Sequence, residues 1–177
     1  MSAMRVATRG FTLIEVLVTV VILAVLASVL VLAVGAGDEE QWLRREAERL
    51  QARIDYACER AELTGRELGL HLRRGGYAFS TPYGEDWRFI DDDKALQRAT
   101  LPKAITLAAG DHELTESFAE KPQFLCLASG EATPAQIELA AGARATRWRI
   151  DIALDGSTRL QRRAPDDRDW QAAGQPP

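Results

Sequence analysis

Apolar residues along the chain fall into three regimes. Over residues 11–36 they are nearly continuous, with Glu15 the one charged residue among them. Over 42–61 they recur at steps of three and four: Trp42, Leu43, Ala47, Leu50, Ile54, Ala57 and Ala61. That spacing predicts an amphipathic helix over 39–64, with Arg45, Glu46, Glu48, Arg49, Arg53, Glu59 and Arg60 on the opposite face. Gly35 and Gly37 form a weak point between the two helical stretches. Asp38, Glu39 and Glu40 then suit a helix N-terminus, and Thr64-Gly65 its end.

Beyond Gly65 the period becomes two. Leu68, Leu70 and Leu72 alternate with Gly69, His71 and Arg73, and Gly75-Gly76 turns the chain toward Tyr77 and Phe79 as a hairpin. Further strands are expected at 87–90, 105–108, 124–127 and 136–139. The clearest comes last, where Trp148, Ile150, Ile152 and Leu154 alternate with Arg147, Arg149 and Asp151. Asp155-Gly156 then turns the chain into 157–163. The triplet Asp91-Asp92-Asp93 lacks the spaced ligands of a calcium loop and reads as a helix N-cap before Lys94. The polar stretch 164–177 reads as a disordered tail. The fold class is α+β: a long N-terminal helix, membrane-spanning in its first half and amphipathic in its second, packed on an antiparallel β head.

With 177 residues the chain holds an anchor and one domain, and its 46% hydrophobic and 27% charged residues are ordinary for a globular protein. A formal net charge of −4 gives no reason to expect nucleic acid as a partner. Cys58 and Cys126 permit one disulfide without requiring it, and they read as buried thiols. His71 and His112 have no metal-ligand companion at a recognisable spacing and read as surface residues. No G-x-S-x-G, P-loop or C-x-x-C pattern occurs. The expectation is therefore a protein that is not an enzyme and carries no cofactor or metal.

The N-terminus decides the rest. Arg5 and Arg9 stand without an acidic residue before the apolar run, which keeps that end in the cytoplasm. Residues 16–36 carry no charge, and a helix over them is about 30 Å long, the thickness of a bilayer's hydrocarbon core. A secretory signal peptide cut near Val34-Gly35-Ala36 is one reading, but its apolar core runs only about 7–15 residues. A plain single-pass anchor is a second, and it leaves Glu15 unexplained.

The third reading starts from Gly10-Phe11-Thr12-Leu13-Ile14-Glu15, which closely resembles the leader of the type IV pilin-like family. The resemblance implies that prepilin peptidase cuts after Gly10 and N-methylates Phe11. Glu15 becomes the fifth residue of the mature chain. An unpaired charge inside lipid costs about 2.5–3.5 kcal/mol on insertion scales. In a filament of staggered helices the partner would be the N-terminal ammonium of an adjacent subunit. The plainer alternative is a carboxylate that snorkels to the cytoplasmic interface.

The head adds a second resemblance. The pieces RAELTGRELGL, GYAFSTPYGEDWRFIDDDKALQRATLP, LASGEATPAQIEL and WRIDIALDGSTRL are similar, in order and spacing, to the GspH family of type II secretion minor pseudopilins. Gly76-Tyr77-x-Phe79, Trp87, Leu101-Pro102 and Ser129-Gly130-Glu131-x-Thr133-Pro134 carry the likeness. It implies a pilin-like fold whose head is a β-sandwich-like pair of antiparallel sheets. It also implies a subunit near the tip of a periplasmic pseudopilus that drives export of folded proteins across the outer membrane. Because Glu15 is present, the expected place is below the extreme tip. The implied partners are prepilin peptidase, other minor pseudopilins, the major pseudopilin and, before assembly, the inner membrane. The implied domains are a leader at 1–10, a transmembrane and filament-core helix at 11–37, a periplasmic head at 38–163 and the tail at 164–177. Leu32 stands where major pilins commonly carry a proline, so any melting of the helix is expected at Gly35 and Gly37. The alternatives are a minor pilin of a type IV pilus and a periplasmic binding domain released by signal peptidase.

Overall fold

The computed structural model describes residues 13–142 and 145–173, those of 27–39 by their backbone alone. The chain divides into two units, Met1–Asp38 and Glu39–Pro177. Helix α1, Leu13–Thr64, supplies the described part of the first unit and continues into the second. No second helix N-terminus forms at Asp38 and Glu39: a single helix runs through both residues. Gly65 ends it with φ 64°, and Arg66 N donates to Ala61 O at 3.2 Å, which closes a Schellman cap.

The second unit is a β head built on the C-terminal half of α1. Its strands are β1 (Leu68–Arg73), β2 (Gly76–Tyr83), β3 (Asp86–Phe89), β4 (Ala99–Thr100), β5 (Ile105–Ala109), β6 (Phe124–Cys126), β7 (Ala135–Ala141), β8 (Arg147–Ile152), β9 (Thr158–Arg163) and β10 (Gln171–Ala172). They form two antiparallel sheets. One runs β3-β2-β1-β6, with β4 also on β2, and the other runs β10-β9-β8-β7-β5. In the second sheet Ala109, Ile137, Ile150 and Leu160 face one another across four strands, so the inward side chains make one apolar row. The helix stripe Leu43, Ala47, Leu50, Ile54, Ala57 and Ala61 is buried and shares a single core with both sheets. Small residues on that stripe let the sheets approach the helix closely.

Gly76 shows why the Gly-Tyr-x-Phe pattern begins with glycine. A Cβ there would lie 2.2 Å from the carbonyl oxygen of Ala99, inside the β2–β4 pairing. Tyr77 and Phe79, the next two inward residues, are almost fully buried, with ring centroids 6.2 Å apart.

Four further expectations are corrected. The cysteines are not thiols: Cys58 and Cys126 are joined, with Cα atoms 4.8 Å apart, tying α1 to β6. His71 is not on the surface but fully buried, because residues 115–123 strap the outer face of the first sheet. Alternation along β1 hides this second cover, since it comes from a segment without a strand of its own. The acidic triplet caps a single turn and not a helix: Asp93 Oδ1 accepts from Ala95 N at 2.8 Å, and the chain enters β4 soon after. Finally, the tail is placed as far as Ala173. β10 pairs with β9, and Trp170 lies between the guanidinium groups of Arg149 and Arg163 at 4.3 and 4.5 Å. The leader 1–10, Phe11 and residues 174–177 lie outside the described residues.

The disulfide closes a loop of sequence separation 68, which in the chain-entropy model stabilises the head by about 4 kcal/mol. Reduction, or Cys58→Ser with Cys126→Ser, is therefore expected to lower the melting temperature markedly without changing the folded secondary structure. Thermal melts followed by circular dichroism, with and without reductant, check this. Equal melting temperatures would contradict it.

Candidate assembly site

Between Leu13 and Leu26 every described large side chain is apolar except that of Glu15, and none is covered by the rest of the chain. Exposure runs from 84% at Leu13 to 49% at Val18. Successive residues of a helix are about 100° apart, so Val16, Leu17, Val18, Val20, Val21, Ile22 and Leu23 point to all sides. A helix apolar all round belongs inside an apolar medium or a bundle of its own kind. Burying these side chains is worth about 1.5–3 kcal/mol each. That sum far exceeds the cost of one carboxylate, so transfer of these side chains to an apolar surrounding is favourable even with Glu15 among them. Among the described residues no helix is long and apolar enough to cross a membrane, and the span expected over 11–37 lies partly outside them.

Glu15 is the third of the described residues of α1. Among the described residues no side chain pairs with its carboxylate. Thr19, the only other polar side chain described in this stretch, donates its hydroxyl to the carbonyl of Glu15 at 2.6 Å. That bond hides the threonine's polarity inside the helix and leaves the carboxylate as the one polar group aimed outward. Gly10 and Phe11, the other two residues singled out from the sequence, lie outside the described residues.

Several of the head's titratable groups are engaged with one another. Asp91 receives two hydrogen bonds from Arg98, at 3.1 and 2.8 Å, and that guanidinium holds its carboxyl below the usual carboxylate range. Asp93 accepts from Arg60 and, at 3.2 Å, from Tyr56. Among the described residues no cluster of three or more His, Cys, Asp or Glu side chains is arranged to hold a metal. His112 is exposed, its ring edge-on to Phe124 at 5.3 Å. His71 donates from Nδ1 to the Ala119 carbonyl at 3.0 Å, and its Nε2 accepts from the Ser80 hydroxyl at 2.8 Å. Phe89 and Phe118 enclose the ring. Burial pushes its pKa below the ordinary value, so the neutral ring is the form that fits.

Comparisons with known proteins bear on both parts. Residues 5–36 match the prokaryotic N-terminal methylation motif, and residues 46–156 match the family described as type II transport protein GspH. The type II secretion system protein H of Pseudomonas aeruginosa is 34% identical over 144 residues, covering 76% of this chain and 84% of that protein. The protein of that name from Aeromonas hydrophila is 27% identical over 167 residues, covering 86% and 91%. Among solved structures, the minor pseudopilin EpsH from the type 2 secretion system of Vibrio cholerae superposes with TM-score 0.57 at 25% identity, over 70% of this chain and 97% of that one. The solution structure of E. coli GspH shares the fold at TM-score 0.53 and 19% identity, over 76% and 95%.

The buried imidazole generates a pH dependence. The unfolded chain holds His71 at its ordinary pKa of 6.5, whereas the folded chain lowers it. Below pH 6.5 the unfolded state therefore binds more protons. Head stability is expected to be full above that pH and to fall as pH drops toward the lowered value. Denaturant midpoints between about pH 7 and 5 for the native protein and His71→Gln measure it. The variant should show the flatter profile, and parallel profiles would refute the assignment.

Proposed function

We propose, since the chain belongs to the GspH family of type II transport proteins, that it acts as a minor pseudopilin, a structural subunit of a secretion filament and not an enzyme. The observation that carries the reading is the apolar helix with its single outward carboxylate, lying in a segment that matches the N-terminal methylation motif. Prepilin peptidase removes residues 1–10 by cutting after Gly10 and methylates the new terminus at Phe11. Residues 11–37 span the inner membrane first and pack in the filament core afterwards.

In the membrane the Glu15 carboxylate is a lone ion in a poor solvent. In the filament it meets the terminal ammonium of Phe11 on the next subunit, so the cost of burying the charge becomes a preference for assembly. The pair also fixes the axial stagger between neighbours, because no other charged group of the helix core competes for it. The head lies in the periplasm, where disulfides such as Cys58–Cys126 form and persist. There it stands near the filament tip, below the extreme subunit, among the other minor pseudopilins and above the major one. Growth of that filament drives folded proteins outward.

Two measurements test this. Mass spectrometry of the protein from cells containing prepilin peptidase is expected to find N-methyl-Phe11 as the first residue. A chain beginning near Gly37 would instead identify a released periplasmic domain. Glu15→Ala is expected to be processed normally, because the cut needs Gly10, yet to co-purify with sister pseudopilins about tenfold less or weaker still. Recovery equal to the native chain would exclude the pairing.

A further inference from the structure

The C-terminal segment occupies a site that does not need it. β9 would be the edge of the second sheet were β10 not laid along it. The contact is small: Gln171 pairs with Arg162, Ala172 with Gln161, and Ala173 N donates to Leu160 O at 3.0 Å. Among the described residues none after Leu160 belongs to the apolar core. The segment is held instead by this short strand pairing and by one aromatic ring.

Arg147 and Arg149 on β8, with Arg163 on β9, alternate with inward residues and so share the sheet's outer face. Carboxylates meet two of these three: Glu138 lies 3.8 Å from Arg147, and Asp151 lies 3.2 Å from Arg149. Arg163 is matched chiefly by the ring of Trp170, which it shares with Arg149. Asp166 and Asp167 line a cavity of about 620 Å³ together with Arg147 and Arg163. The whole is an open strand edge beside a basic, ring-accepting surface, filled by an acidic stretch carrying one tryptophan.

We propose that this edge and face form a docking site for an extended, acidic, aromatic-bearing segment of a partner protein, and that residues 164–172 are its occupant in cis. Strand addition to β9 supplies main-chain hydrogen bonds, the Arg149–Arg163 clamp selects a ring, and the arginines select carboxylates. The tail then acts as a cover that a matching segment displaces. This goes beyond filament assembly through Glu15 and does not depend on it.

The test uses the full chain in detergent and a labelled peptide of residues 164–173, APDDRDWQAA. Trp170→Ala, which releases the tail, is expected to bind the peptide at least tenfold more tightly than the native chain, where the tethered copy competes. Adding Arg149→Ala and Arg163→Ala should abolish that binding. A peptide carrying Asp166→Asn, Asp167→Asn and Asp169→Asn should bind at least tenfold less. In the native chain, excess peptide carrying Arg168→Gln, which trypsin cannot cut, should speed trypsin cleavage of the displaced tail after Arg168, a readout that needs no variant to fold. The proposal is overturned if Trp170→Ala and the native chain bind alike, if the uncharged peptide binds equally, or if excess peptide leaves cleavage unchanged.

Discussion

The arrangement depends on one constraint: an apolar helix must take a carboxylate with it when it leaves water. Exposed apolar side chains surround the helix from Leu13 to Leu26, and their burial outweighs by several-fold the cost of Glu15. The helix is therefore committed to lipid or to other helices, and the acid cannot hold it back. In the proposed assembly the acid discriminates among apolar surroundings: lipid offers it no partner, whereas a neighbouring N-terminus would. A small polar cost inside a large apolar gain would then set where the helix stops and which neighbour it accepts.

The head obeys a different economy. It has its own core, shared by the α1 stripe and two sheets, and a covalent tie from α1 to β6. Some of its charged groups are paired locally, as in Asp91 with Arg98 and Asp93 with Arg60. Its buried histidine is neutral and fully hydrogen-bonded, the only state that the surrounding rings and carbonyl accommodate without penalty. Such a head carries its own fold, as the proposed passage of its helix from a membrane to a fibre requires.

Much of this was legible in the residues. Period-three-and-four spacing located the buried stripe from Leu43 to Ala61, and period-two spacing located β5, β7, β8 and β9. Thr64-Gly65 marked the helix end, because only glycine adopts the left-handed cap at no steric cost. Three of the misses share a cause: each depends on a contact between segments far apart in sequence. Nothing near Cys58 or Cys126 announces the other, and nothing beside His71 reveals that residues 115–123 will cover it. Trp170 looked like part of a polar tail because its two arginine partners lie on β8 and β9. At the candidate site, the motif around Glu15 was readable at once. The role of Thr19 was not, since a hydroxyl turned onto its own helix leaves no pattern in sequence.

The most direct test is a distance inside the assembled fibre. Filaments grown from a mixture of two labelled pools, one with ¹³C in the Glu15 carboxylate and one with ¹⁵N at the Phe11 terminus, allow solid-state NMR to see only contacts between subunits. The account predicts strong dephasing from a carboxylate within about 4 Å of a neighbour's terminal nitrogen. A carboxylate that shows no intersubunit nitrogen, and exchanges magnetisation with water instead, would contradict it.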